Sequence, residues 1–207
     1  MLHSRAPSPP RRLVVATANS GKLREFRSLL AGLPFRLTSL GELQLPSPEE
    51  TGSSFLENAT LKARHAAALS ASAALADDSG LEVDALGAAP GILSARYAGP
   101  KADDAANNAK LVEALAGLPA ERRSARYRCA LVFVESADAP ALAAHGVWEG
   151  VILDAPRGTG GFGYDPYFWL PGLKKTVAEL SPEEKNRRSH RGAAARALRD
   201  LLERQCE

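Results

Sequence analysis

Cysteine is scarce in this chain: Cys129 and Cys206 are the only two among 207 residues. Neither belongs to a CxxC pair or a Cys/His spacing. That argues against a zinc site or a disulfide framework and suits a reducing compartment. Charge of one sign is lacking too. The net is +2, too weak to hold nucleic acid or a membrane surface by bulk electrostatics. No apolar run reaches the roughly 18 residues of a membrane-spanning helix. The short run after Arg11-Arg12 stops at Asn19-Ser20-Gly21-Lys22, too soon for an export signal. Spaced aromatic platforms of the kind that bind single-stranded RNA are missing as well. There are no internal repeats and no long linker. What remains is the expectation of a cytoplasmic enzyme, in a chain long enough to bury roughly 70% of its unfolded surface.

Residues 1–12, rich in Pro, Ser and Arg, read as a disordered basic extension. Residues 13–207 then form a single domain. The pattern predicts a buried strand over 13–17, a helix over 21–30 and a strand over 35–40. Ser54-x-x-Glu57 reads as a capping box opening an Ala-rich helix to about residue 70. A short strand over 73–76 stops at Asp77-Asp78-Ser79-Gly80 and resumes over 81–86. A helix is predicted over 103–115. Strands are predicted over 126–135, 141–148 and 150–154, joined too tightly to be parallel. After a glycine-rich loop at 158–163, Ser181-Pro182-Glu183-Glu184 is a second capping box, followed by helix broken near 189–192. Alternating β/α followed by adjacent strands indicates α/β with a mixed sheet flanked by helices.

Several segments carry candidate chemistry, each with an ordinary alternative. Thr17-Ala18-Asn19-Ser20-Gly21-Lys22 lies between strand and helix, where backbone N–H groups and a lysine suit an anion; it also reads as a plain β–α turn. It is no Walker loop, because the spaced glycine is missing and Leu23 stands where Ser or Thr would hold metal. Asp77-Asp78 are carboxylates that repel unless a cation or solvent intervenes. Mg²⁺ takes one or two carboxylates plus water and phosphate oxygens, and Glu50 is placed to reach the same ion. Taken alone, Asp77-Asp78-Ser79-Gly80 reads better as a surface turn. Asn58 and Lys62, one helical turn apart, carry no special signal.

Gly158-Thr159-Gly160-Gly161-Phe162-Gly163 matches G-x-G-x-x-G in letters only. No helix follows it, and no acidic residue stands at the required distance, so a dinucleotide site is rejected. Phe162-Gly163-Tyr164-Asp165 instead offers an aromatic for a base and glycines that let backbone approach. Lys185, Ser189, His190 and Arg191 cluster at the helix break, where the cations suit phosphate or a base carbonyl.

In this order the segments resemble the inosine triphosphate pyrophosphatase family. The resemblance rests on Thr17–Lys22 with Glu25, Glu50-Thr-Gly52 with Phe55 and Glu57-Asn-Ala59, and Ala76-Asp-Asp-Ser-Gly80. It continues through Pro90-Gly91 with Ser94-Ala-Arg-Tyr97, Gly161-Phe-Gly-Tyr-Asp-Pro166, Glu184-Lys185 and Ser189-His-Arg191, spanning almost all of the chain after Arg12. It implies an elongated two-lobed α/β fold around a long central mixed sheet, with the substrate in the cleft, a homodimer and Mg²⁺. It implies that Asp78 binds metal and activates water, with Glu50 a further metal ligand. Thr17, Ala18, Asn19, Ser20, Gly21 and Lys22 would hold phosphate and sugar, and Ser79 would touch the substrate. Phe162, Gly163, Tyr164, Asp165, Lys185, His190 and Arg191 would recognise the nucleotide, above all its base. The activity implied is hydrolysis of non-canonical purine triphosphates (ITP, dITP, XTP), with no nucleic acid or membrane partner. Two alternatives remain: a pyrophosphatase for other modified nucleotides on a similar fold, and a non-catalytic nucleotide-binding module.

Overall fold

The computed structural model describes residues 9–204. Within them a seven-stranded mixed sheet runs in the order β2-β1-β3-β4-β5-β6-β7. β1 (Arg11–Val15) and β2 (Phe35–Ser39) are joined by α1 (Ser20–Leu29), and α2 (Phe55–Ser70) leads to β3 (Ala73–Val83). α3 (Asp104–Ala114) precedes β4 (Ser124–Val134) and β5 (Leu142–Ile152). β6 (Phe168–Leu170), β7 (Lys175–Thr176), α4 (Pro182–Arg188) and α5 (His190–Arg204) follow. The expected α/β class with a mixed sheet flanked by helices is what the chain adopts.

β1 pairs in parallel with both β2 and β3, whereas β3, β4 and β5 are antiparallel. The chain therefore leaves β1 to one side through α1 and returns to its other side through α2. Ligand crevices form at such a reversal, beyond the carboxyl ends of the strands. Here the crevice has a definite position. The β1–β3 ladder ends at Val15↔Leu75, while β3 runs on to Val83 against β4, its other edge meeting the chain again only from Leu81 onward, at Ser94, Pro90 and Ala89. Residues 77–80 thus lie on a strand whose other edge is open, just past the end of β1.

Alternation along β3 sends successive side chains to opposite faces. Ala73 and Leu75 pack with Leu23, Phe26 and Leu198 of α1 and α5. Ala74 and Ala76 pack with Ala59, Ala63, Ala66 and Ala67 of α2. A third cluster, with Leu81, Val83, Leu111, Tyr127 and Phe168, fills the far end of the long strands. The polar residues of β3 fall between these apolar groups.

Several expectations are corrected. Residues 73–76 and 81–86 are not separate pieces: β3 is continuous, and Asp77-Asp78-Ser79-Gly80 is strand interior, held by pairing with residues 128–131 of β4. The pieces 141–148 and 150–154 are likewise one strand; Gly150 gives no break because the Phe168 ring fills the place of its missing side chain. Arg11 and Arg12, expected in the extension, begin β1; residues 1–8 of that extension, and Cys206, lie outside the described residues. At the expected capping box of α2, Ser54 accepts from the Glu57 N–H, but the Glu57 carboxylate reaches Ser53 instead of Ser54. The Ser181/Glu184 box closes in both directions. The predicted helix break narrows to one extended residue, Ser189, whose hydroxyl accepts from Gly192 N–H and starts α5. Among the described residues no helix is long and apolar enough to cross a membrane.

Candidate active site

A cavity open to solvent lies beyond the end of β1. Its lining brings together Asn19, Lys22, Ser79, Phe162, Gly163, Tyr164, Asp165, Lys185, His190 and Arg191 from the sequence candidates. It adds Tyr127, Asp104, Asn107 and Ser94, which carried no assignment from sequence.

Asp77 anchors one face. It is almost fully buried, accepts from Lys22 at 3.0 Å and from Arg191 at 3.3 Å, and takes the Ser79 hydroxyl at 2.9 Å. Burial would raise its carboxyl, but Lys22 and Arg191 outweigh burial and hold it well below the usual range. Arg191 also reaches Glu25 and donates to the Ser79 hydroxyl at 2.9 Å. Lys185 bridges Glu25 at 2.9 Å and Asp165 at 2.7 Å. Burial likewise raises Glu25, and Arg191 with Lys185 overcomes it. These cations thus have carboxylate partners inside the protein. The Phe162 ring stands over Lys185, its centroid 4.3 Å from Nζ, and lies where a Gly21 side chain would be.

His190 stacks on Tyr127 with ring centroids 4.8 Å apart. Burial, with Arg191 and Lys185 nearby, drives its pKa far down, so the imidazole is neutral. Its Nδ1 has no hydrogen-bond partner among the described residues. α5 brings His190 against β5 because position 146 is glycine: a Cβ there would overlap the His190 carbonyl oxygen.

Asp78 points to the other face, toward α2. It receives Lys62 at 2.7 Å and the Asn58 amide at 3.3 Å. Lys62 also reaches Glu50 at 2.9 Å, whose second oxygen takes Arg96 at 2.9 Å. Burial raises the Asp78 carboxyl; Lys62 opposes but is shared with Glu50, whose charge raises it further, and the net shift is upward. Glu50 goes down, since Lys62 and Arg96 outweigh its partial burial. Sequence reasoning set Asp77 and Asp78 against each other as repelling neighbours. The pleat instead parts the two carboxylates, and burial is the main cause of the upward shift at Asp78.

Other expectations change in detail. Asp78 and Glu50 do not line the cavity itself. Thr17, Ala18 and Ser20 line a neighbouring depression with Arg24 and Arg27, and Asn19 touches both. Gly21 lines neither; it makes room for Phe162. The backbone N–H groups expected to hold an anion at Gly21 and Lys22 are capped by the Asn19 side chain at 2.8 and 3.1 Å. Lys22 reaches the site through its side chain. Asn58 and Lys62, passed over as a routine helical pair, are functional candidates. The signal available was a lysine on the same stripe as Ala59, Ala63 and Ala66, since a buried ammonium requires a partner. Cys129 is no nucleophile: burial pushes its thiol up to about 12.

Glu50 and Asp78 present hard oxygen donors that already converge on one cation, the Lys62 ammonium. That chemistry fits Mg²⁺, which needs only one or two carboxylates when water and phosphate complete its shell. Among the described residues no group of three or more His, Cys, Asp or Glu converges as a self-sufficient metal cage.

Comparison with known proteins places the chain consistently. The family model described as Ham1 family matches residues 13–201. A Methylococcus capsulatus protein named dITP/XTP pyrophosphatase is 54% identical, covering 93% of this chain and 96% of its own. One of the same name from Escherichia coli O157:H7 is 52% identical over 92% of this chain and 98% of its own. The solved structure of a HAM1 protein from Coxiella burnetii superposes with a TM-score of 0.85 at 47% identity, covering 94% of this chain and 99% of the other.

Proposed function

This chain belongs to the Ham1 family, and from that premise we propose that it hydrolyses the triphosphates of inosine, deoxyinosine and xanthosine to the monophosphate and pyrophosphate. Such an activity clears the nucleotide pool of bases that would be misincorporated. One observation carries the reading: at the open edge of β3, a cation-lined aromatic cavity on one face meets the Asp78–Glu50 carboxylate pair on the other. The names of relatives more than 50% identical support it.

Water attacks the α-phosphorus, the bond to the bridging oxygen breaks, and pyrophosphate leaves. Asp78 accepts the proton of the attacking water. Glu50 and Asp78 would hold Mg²⁺, which when bound supplies charge neutralisation for the leaving pyrophosphate. Lys62 and Lys22 flank β3 from opposite faces and bind phosphate. The base enters beside Phe162 and stacks on it. His190 Nδ1 pairs with the base, recovering the roughly 1–3 kcal/mol that an unmet buried polar atom costs. Lys185 is donor-only, so it welcomes the 6-oxo group of hypoxanthine and xanthine and has nothing for the 6-amino group of adenine; guanine shares the 6-oxo group, so its exclusion rests on its 2-amino group. Arg191, with bonds to Asp77, Glu25 and Ser79, frames the site and holds Ser79. Homodimeric assembly and a cytoplasmic location are part of the same reading.

Pyrophosphate release from ITP, XTP, dITP, ATP, GTP and dTTP, with and without Mg²⁺, tests it. Metal-dependent release confined to the first three is expected. Equal rates on all six would remove the base-selective roles of Lys185 and His190, and no release would reduce the protein to a nucleotide-binding module.

A further inference from the structure

α3 lies outside every motif discussed so far, yet three side chains of its first turns grip both walls of the cavity. The Asp104 carboxylate accepts from Gly163 N–H at 2.6 Å, and the Asn108 amide donates to the Gly163 carbonyl at 2.9 Å. Gly163 is thus held at both its N–H and its C=O. Its φ of 63° lies in the left-handed region that glycine enters freely, so these two bonds select one of several conformations open to it. Asn107 grips the opposite wall: its oxygen accepts from Ala98 N–H at 2.8 Å, and its amide donates to the Ala95 carbonyl at 3.2 Å. Asn107 and Asn108 are buried, and Asp104 and Asn107 line the cavity. The two walls also meet where the Tyr164 hydroxyl donates to the Ser94 carbonyl at 2.8 Å.

We propose that Asp104, Asn107 and Asn108 are positioning residues that set the width of the base pocket, with Asp104 and Asn108 fixing the height of the Phe162 ring. The chemistry lies elsewhere, on β3 and α2, so α3 governs affinity for the base and not the phosphate end. Phe162 is held from its other side, where its N–H donates to Asp165 at 3.0 Å. Asp165 in turn belongs to the Lys185 and Glu25 network, so only α3 can be altered without disturbing those charges.

The inference rests on the reading of Phe162 as the base platform, and the experiment separates the two. Binding of IMP and of inorganic pyrophosphate is measured by calorimetry for the parent, Asp104→Ala, Asn108→Ala and Asp104→Asn. Amide exchange at Phe162 and Gly163 is followed in the same proteins. Each alanine variant should weaken IMP about tenfold, the value of one lost hydrogen bond of this class at about 1.4 kcal/mol. Pyrophosphate affinity should change less than twofold. Asp104→Asn keeps an acceptor oxygen for Gly163 and should restore most of the IMP affinity. Alanine variants that bind IMP like the parent, or that lose IMP and pyrophosphate alike, overturn the proposal. Faster exchange at Gly163 in the alanine variants is expected whatever the ligand; unchanged exchange also overturns it. Failure of the parent itself to bind IMP counts against the functional reading, while the exchange result still decides the clamp.

Discussion

Adjacent carboxylates Asp77 and Asp78 should respond in opposite ways to the same substitution, Asp→Asn. Asp77 is buried between Lys22 and Arg191; without it Lys22 loses its carboxylate partner, while Arg191 keeps Glu25. Removing one partner of a buried pair costs about 3–5 kcal/mol. For a chain of this size that is a fall in melting temperature of roughly 6–20 °C, at about 2–4 °C per kcal/mol. Asp78 is different. Burial and Glu50 disfavour its charge despite Lys62, and Lys62 retains Glu50 as a partner. Asp78→Asn should therefore change stability by no more than about 1 kcal/mol while abolishing turnover of ITP. The pH dependence adds a check of sign. The Asp77 carboxyl is depressed in the folded state, so its contribution is full above the unfolded value of about 3.9 and is lost as pH falls below it. The parent should lose stability over that acid range more steeply than Asp77→Asn. Urea unfolding at several pH values, with ITP turnover at neutral pH, measures all of this. Equal losses of stability in the two variants, or an Asp78→Asn enzyme with most of its activity, would refute the division of labour across β3.

Gly146→Ala should destabilise the fold by about 1–3 kcal/mol or more, since the methyl group meets unyielding backbone at His190; thermal melts and loss of IMP binding would show it. His190 is held neutral by burial, so the unfolded chain binds a proton that the folded one does not. Stability should then fall as pH drops below about 6.5, and His190→Gln should flatten that fall in urea titrations on the acid side of that value. Glu50→Gln should raise the Mg²⁺ concentration needed for half-maximal pyrophosphate release; an unchanged requirement removes Glu50 from the metal site.

Much was decided locally and could be read directly. The alternation of strands and helices, the Ser181 capping box and the helix break at Ser189 depend on hydrogen bonds within a few residues, which a sequence displays. The order of the motifs likewise identified the family and its chemistry. Other properties depend on what lies across the sheet. The segment Asp77-Asp78-Ser79-Gly80 looks like a turn because polar residues rarely fill a strand interior; only pairing with β4 makes it one. The pleat then gives each carboxylate a different set of cations, from α1 and α5 on one face and α2 on the other. The role of α3 was invisible for a related reason: Asp104, Asn107 and Asn108 look like ordinary polar positions of a helix, and their partners lie 9 to 59 residues away. Residue type and short spacing were settled by the sequence alone. Which charges meet, and how deeply each carboxylate is buried, were settled by tertiary packing, because Coulomb and desolvation energies depend on distance and burial in space and not along the chain.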